Sequence, residues 1–331
     1  MGLRISVAGI FLLLLSSCSN GKEVTRLESA PGLEVAASLA FSEGPAYHPD
    51  GRLFFTDIAN NKIVVLDVST PAGTVGRTPG VFRKPSGRAN GLAIDREGRL
   101  LACEGADVGG NRRVTRTEED GTITVLASGY LGKPLNSPND LTLDQRGRIY
   151  FTDPRYGARS DMEMAVEGVY RVDTGGEVTR IIDHLERPNG IGVSPDQQTL
   201  YVVDNNQEEG GSRKVWAYPL TGDGSVGRAR VLYDFGTGRG GDGICLDRKG
   251  RVYVTAGLNV PAPANDSSVA AGVYVLSPAG ALLEFLPIPE DVVTNCTFGG
   301  PDGRTLFITS GKTLFSTRRD TPGFNAANDW E

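Results

Sequence analysis

Six copies of one motif, a glycine-bearing turn in nearly every copy and a spare strand ahead of the first copy predict an all-β protein. The fold expected is a six-bladed β-propeller with four-stranded blades, closed by an N-terminal strand. The copies are EGPAYHPDGRLFFTD from Glu43, NGLAIDREGRLLACE from Asn90, NDLTLDQRGRIYFTD from Asn139, NGIGVSPDQQTLYVVD from Asn189, DGICLDRKGRVYVTA from Asp242 and NCTFGGPDGRTLFITS from Asn295. Their period of roughly 50 residues is that of a propeller blade. Each copy reads as a hairpin, because short apolar runs flank an Asp/Pro-x-Gly-Arg turn or a close variant.

Further strands follow each hairpin. Third strands are expected at 62–68, 112–117, 168–172, 214–220, 272–277 and 312–317, and fourth strands at 81–82, 123–127, 178–182, 230–234 and 282–286. The sixth unit lacks a fourth strand after Thr317. Leu33-Glu34-Val35-Ala36 supplies it and leaves no open sheet edge.

The N-terminus reads as an export signal. Arg4 is a short positive region, 5–15 is an apolar stretch too short to span a bilayer, and Leu15-Ser16-Ser17-Cys18 resembles a bacterial lipoprotein signal. The division expected is a signal segment over 1–18 with lipidation at Cys18, a tether over 19–30, the propeller over 31–320 and a C-terminal tail over 321–331. The chain is expected to be exported, as a membrane-anchored lipoprotein or a periplasmic protein that meets the membrane only through its lipid. Cys103, Cys245 and Cys296 remain, an odd number without C-x-x-C spacing. They read as buried thiols, with a Cys245–Cys296 bridge open in an oxidising compartment.

A net charge of −6 with no basic block excludes nucleic acid as the expected partner. Gly236, Gly238 and Gly241 match a dinucleotide-type G-x-G-x-x-G, yet a strand rather than a helix follows. No G-x-S-x-G nucleophile elbow is present. His48 falls in the first hairpin turn and His184 at a strand end, so neither is placed in a catalytic role.

The chemistry lies in the register of the repeats. Glu43, Asn90, Asn139, Asn189, Asp242 and Asn295 each stand eight residues before Gly51, Gly98, Gly147, Gln197, Gly250 and Gly303. Equivalent positions in a propeller are related by rotation about its axis, so these side chains are expected to ring one mouth of the channel. Local turn preference accounts for Asn90 and Asn295 but not for a glutamate at 43. Two carboxylates and four amides form an all-oxygen set, which suits one divalent cation of the Ca²⁺ type. Mn²⁺ and Zn²⁺ are the alternatives, although zinc prefers imidazole or thiolate. Asp57, Glu104, Asp153 and Asp204 end the second strands one position further out, where a supporting role and simple turn chemistry are equally open.

SEGPAYHPDGRLFFTDI, RANGLAIDREGRLLACEG, GNRRVTRTEEDGTITVLA, LNSPNDLTLDQRGRIYFTDPRYG, RPNGIGVSPDQQTLYVVD and GGDGICLDRKGRVYVTA resemble the gluconolactonase family, which also includes senescence marker protein, or regucalcin. RRVTR, NSPND and FTDPRYG are similar to its bacterial gluconolactonase branch. The resemblance runs from about Phe41 to about Ser310 and implies a six-bladed propeller with a Ca²⁺-type site. It implies Glu43, Asn189 and Asp242 as metal ligands, Asn139 as a ligand to metal or substrate, and Asp242 also as general base. One departure stands out: where the branch often has histidine after Cys-Glu, this chain has Gly105 after Cys103-Glu104.

The activity expected is metal-assisted hydrolysis of a sugar lactone, glucono-1,5-lactone to gluconate, with Asn139, Asn90 and Arg112 on the sugar hydroxyls. A lactonase or phosphotriesterase acting on another substrate and a lipid-tethered, non-catalytic interaction propeller are the alternatives.

Overall fold

The computed structural model describes residues 31–38, 41–69, 78–261 and 268–325. The expected signal segment, the expected tether and Cys18 lie outside them. Six antiparallel sheets follow one another along the chain, each beginning with an inner strand and stepping outward. The inner strands are Ser42–Tyr47, Ala89–Ile94, Leu141–Leu143, Pro188–Val193, Gly241–Asp247 and Val293–Gly299. The closing strand expected near Leu33 is Glu34–Ser38. It pairs antiparallel with Thr313–Arg318 as the outermost strand of blade six. The expected third and fourth strands are all present, with no end displaced by more than one residue; Gly80–Arg83, for example, extends the strand read at 81–82.

The core is not a single mass. Six apolar clusters fill the six seams between neighbouring blades. Blades five and six, for instance, meet through Tyr253, Val273 and Leu286 on one side and Val293, Phe298 and Leu306 on the other. Both faces of each sheet are therefore buried, which accounts for second strands such as Leu100–Glu104 and Ile149–Asp153 being buried along their whole length.

Within the hairpin turns the repeated Asp and Arg hold each other. Asp95 with Arg99 (2.8 Å), Asp144 with Arg148 (2.6 Å) and Asp247 with Arg251 (2.5 Å) pair across the turn, and each Asp also accepts backbone N–H bonds from it. The turn needs a left-handed residue. Gly147 supplies it at φ 79°, and Gln197 adopts φ 61° in its place in blade four.

Two pairings were not expected. Gly129–Tyr130 and Lys133–Pro134 form a small hairpin between blades two and three. Gly323–Phe324 pairs with Leu246 and Asp247 on the axial side of blade five, so ordered chain continues past the boundary read at 320. Phe324 and Asn325 line the channel at the end opposite the ring, as the cavity there records.

Candidate active site at the axial mouth

A shared local irregularity builds the ring. In blades one, two, four, five and six the inner strand carries one more residue than its partner at the ring position. In blade one, Glu43 pairs with Thr56 while Ala46 pairs with Phe54. Such bulges turn a side chain out of the sheet face, here toward the axis. The residue after the ring must then pass close to the next blade. A Cβ on Gly243 would stand 2.1 Å from Asn295 Cγ, and one on Gly190 would stand 2.4 Å from the Asp242 carbonyl. The threonine of the repeated Phe-Thr-Asp ending joins blade to blade: Thr152 Oγ1 donates to the Asn189 carbonyl (2.7 Å) and Thr56 Oγ1 to the Asn90 carbonyl (3.1 Å).

Some of the expected ring residues come together: Glu43 feels the charge of Asp242, and the Asn189 side chain bonds to Asp242. Glu43, Asn189, Asp242 and Asn295 are only 4, 5, 7 and 6% exposed, so their polar groups act largely out of reach of bulk water. Burial raises the Glu43 carboxyl well above its usual range, and the nearby charge of Asp242 raises it further. Burial also raises Asp242, against the pull of Arg239. Asn139 is also buried, and the side-chain oxygen of Asn90 is buried with no partner among the described residues.

Three contributors escaped the sequence reading. Asp140 follows the ring position of blade three, where blades one, two, four and five have glycine. Burial pushes its carboxyl up to about 7. Its Oδ2 accepts a 3.3 Å bond from the Asn295 amide, which reaches it from the opposite blade. A non-glycine after the ring residue was the readable signal. Arg239, almost fully buried, pairs with Asp242 Oδ2 and donates to the Val293 carbonyl at 2.9 Å. Nothing in the repeat marks it. Tyr156, from the FTDPRYG segment, accepts a bond from the Asn189 amide (3.0 Å) and donates to the Asn205 carbonyl (3.2 Å). The Asn189 nitrogen is thereby committed to the protein, and its amide oxygen remains to be offered elsewhere.

Arg112 is placed differently from the other expected residues. Its Nε donates to the Leu135 carbonyl at 2.6 Å and its Nη1 lies 3.3 Å from Asp161, which braces a loop, while its Nη2 is buried with no partner among the described residues. The acids at the second-strand ends also brace loops. Asp153 accepts the backbone N–H groups of Asn136 and Ser137 (2.7 Å each), and Asp204 accepts those of Glu186 and Arg187. These segments lead into Asn139 and Asn189, so the acids act by positioning the chain before the ring. Glu104 is held by Arg83, Asn111, Arg113 and Thr115.

The side chains at the mouth offer carboxylate and amide oxygens, the donor type that hard cations take. Among the described residues no three side chains drawn from His, Cys, Asp and Glu converge on one point. A shell would therefore draw on the Glu43 and Asp242 carboxylates and complete itself with amide oxygens of Asn189 and Asn139. Burial raises the three carboxyls of Glu43, Asp140 and Asp242, set against the guanidinium of Arg239, so a cation bound there would compete with protons for them. Below the ring the axial cavity is only about 90 Å³, lined by Asp140, Asn295, Cys245, Cys296 and Phe324 among others. That is far below the several hundred Å³ of a typical small-molecule pocket. A ligand larger than a few waters must therefore sit at the outer face of the ring.

Comparison with known proteins agrees with this architecture. Residues 41–312 match the family described as SMP-30/Gluconolactonase/LRE-like region. A gluconolactonase of Zymomonas mobilis is 29% identical over 323 residues, covering 89% of this chain and 83% of that protein. A pentonolactonase of Haloferax volcanii is 26% identical over 285 residues, covering 83% of each. The solved structure of a Xanthomonas campestris gluconolactonase superposes with a TM-score of 0.72 at 32% identity, covering 88% of this chain and 89% of that one. The six-bladed fold, the ring at its mouth and these matches together establish that the chain belongs to the SMP-30/gluconolactonase/LRE-like family.

Proposed function

We propose that this protein is a cation-dependent hydrolase that opens sugar lactones, with glucono-1,5-lactone as the first substrate to test. The observation that carries the reading is the buried mouth in which Glu43, Asp140 and Asp242 set three carboxyl groups against the single guanidinium of Arg239. The gluconolactonase and pentonolactonase names of its relatives support the substrate class. Glu43, Asp242, Asn189 and Asn139 would hold the ion, with Ca²⁺ favoured by their all-oxygen chemistry. When bound, such a cation supplies a Lewis-acid charge to the ester carbonyl oxygen.

The chain's own groups do the rest. Burial favours proton uptake at Asp242, so its carboxylate is suited to take a proton from the water that attacks the carbonyl carbon. The ring C–O bond then breaks and the leaving oxygen takes up a proton. Lactone and water thus become one hydroxy acid, which ionises. Arg239 holds Asp242 in place, and Tyr156 holds Asn189. The amides of Asn139 and Asn90 are suited to the sugar hydroxyls. The narrow cavity beneath the ring keeps the substrate at the outer face.

The test is hydrolysis of glucono-1,5-lactone by the chain lacking residues 1–18, before and after EDTA, with Ca²⁺, Mn²⁺ and Zn²⁺ added back. Turnover restored by metal, well above spontaneous ring opening, is expected. Asp242→Asn and Glu43→Gln should each lower kcat/KM at least about 10²-fold without unfolding the protein. No turnover with any metal, on protein with an intact β-type circular dichroism spectrum, would overturn gluconolactone as the substrate.

A further inference from the structure

Cys245 and Cys296 lie in the two inner strands that also carry Asp242 and Asn295. Their sulfurs are 3.0 Å apart, closer than two thiols that merely touch. Cys296 Sγ also lies 3.7 Å from the Tyr253 carbonyl, which keeps that side chain turned into the seam. The strands belong to different sheets and share no backbone ladder, so apolar packing and a few polar contacts hold this seam. Cys103 is buried in a separate cluster between blades two and three, so neither sulfur has a rival partner among the described residues.

We propose that Cys245 and Cys296 form a disulfide in the mature protein, a covalent staple between the inner strands of blades five and six just below the ring. Two thiols lose two protons and two electrons, one S–S bond forms, and a disulfide oxidant is reduced to two thiols. The sulfurs need to approach by about 1 Å to reach bonding distance. Burial raises the Cys245 thiol well above its ordinary range, so little of the reactive thiolate forms once the propeller has closed. The bond is therefore made while blades five and six assemble. The crosslinked residues are 51 apart in sequence, so the staple removes considerable freedom from the unfolded chain.

The experiment refolds the full chain in a reduced/oxidised glutathione buffer, denatures it, alkylates free thiols and maps the peptides. The expected result is one linked peptide pair containing residues 245 and 296, with Cys103 alkylated. Dithiothreitol should lower the Tm of the bridged protein by about 5 °C. It should leave the Tm of Cys245→Ala unchanged. Alkylation of both Cys245 and Cys296 in the refolded protein, or a bridge to Cys103, would overturn the proposal. So would a bridged protein whose Tm does not respond to reduction. If Cys245→Ala does not fold, Cys296→Ser serves as the control, and the peptide map of the unaltered chain decides by itself.

Discussion

Asp140 is where the chemistry of a single residue departs most from its repeat. Four blades place glycine after the ring position, because neighbouring inner strands crowd the axis there. Blade three places a carboxyl, which burial raises to about 7. The folded state therefore binds a proton that the unfolded state, with an ordinary carboxyl, releases above about pH 4. The stability this contributes is complete in acid and is lost as pH rises from about 4 through about 7. Asp140→Asn removes the ionisation and keeps the shape. In EDTA the variant should be more stable than the parent at pH 8, by on the order of a few kcal/mol. The gap should be much smaller at pH 5 and close only below about pH 4. Urea unfolding at the two pH values measures it, and an equal difference at both would show that ionisation of Asp140 is not the cause. Asp153 is raised to a similar value but accepts two backbone N–H bonds away from the ring, so its titration should survive in the variant. The residue-level reading of the sequence found Glu43, Asn189 and Asp242 because they occupy the same register position. It missed Arg239, three residues before Asp242, because no other repeat places an arginine there.

The unit above the residue is the hairpin with its bulge, and its glycines serve two different needs. Gly147 sits in the turn at φ 79°, and the space where a Cβ would stand holds only Thr174 Cγ2 at 3.8 Å. Gly147→Ala should therefore cost only the conformational penalty, about 1 kcal/mol. Gly243 has no unusual φ, but a Cβ there would collide with Asn295 of the next blade. Gly243→Ala should cost well over about 2 kcal/mol and disturb the ring. Denaturant midpoints of the two variants separate the causes, and similar losses would mean that crowding at the axis is not what keeps Gly243 small. The turn glycines are readable from the motif alone, since turn geometry depends on consecutive residues. The need at Gly243 is not, because the atom it avoids is 52 residues further along the chain.

At the scale of the whole molecule, stability comes from six seams arranged in a ring, and a ring holds only when closed. Glu34–Ser38 completes blade six by pairing with Thr313–Arg318, so the two ends of the propeller share one sheet. A chain beginning at residue 41 should leave that edge unpaired and uncover the seam at Phe307 and Leu314. Its thermal transition should fall by more than about 10 °C or give way to aggregation. A chain beginning at residue 31 should melt like the parent. Circular dichroism melts compare the three, and equal transitions for both truncations would mean that the N-terminal strand does not lock the ring.

What the sequence determined by itself was what a repeat can carry: six blades, strands and turns within about two residues of their observed ends, the closing strand, and a ring of oxygen-bearing side chains. All of these follow from short-range patterning along consecutive residues, because strand alternation and turn geometry are local properties of the backbone. The tertiary structure decided what meets across the axis and the seams. The Asn295 amide on Asp140, the guanidinium of Arg239 on Asp242, the hydroxyl of Tyr156 beneath Asn189 and the Gly323–Phe324 strand on the axial side of blade five belong to this group. Most of these contacts join residues tens of positions apart; Arg239–Asp242 is a pair three residues apart. No spacing rule encodes them, because they exist only once the ring has closed and side chains from different blades are forced into one small, water-poor volume.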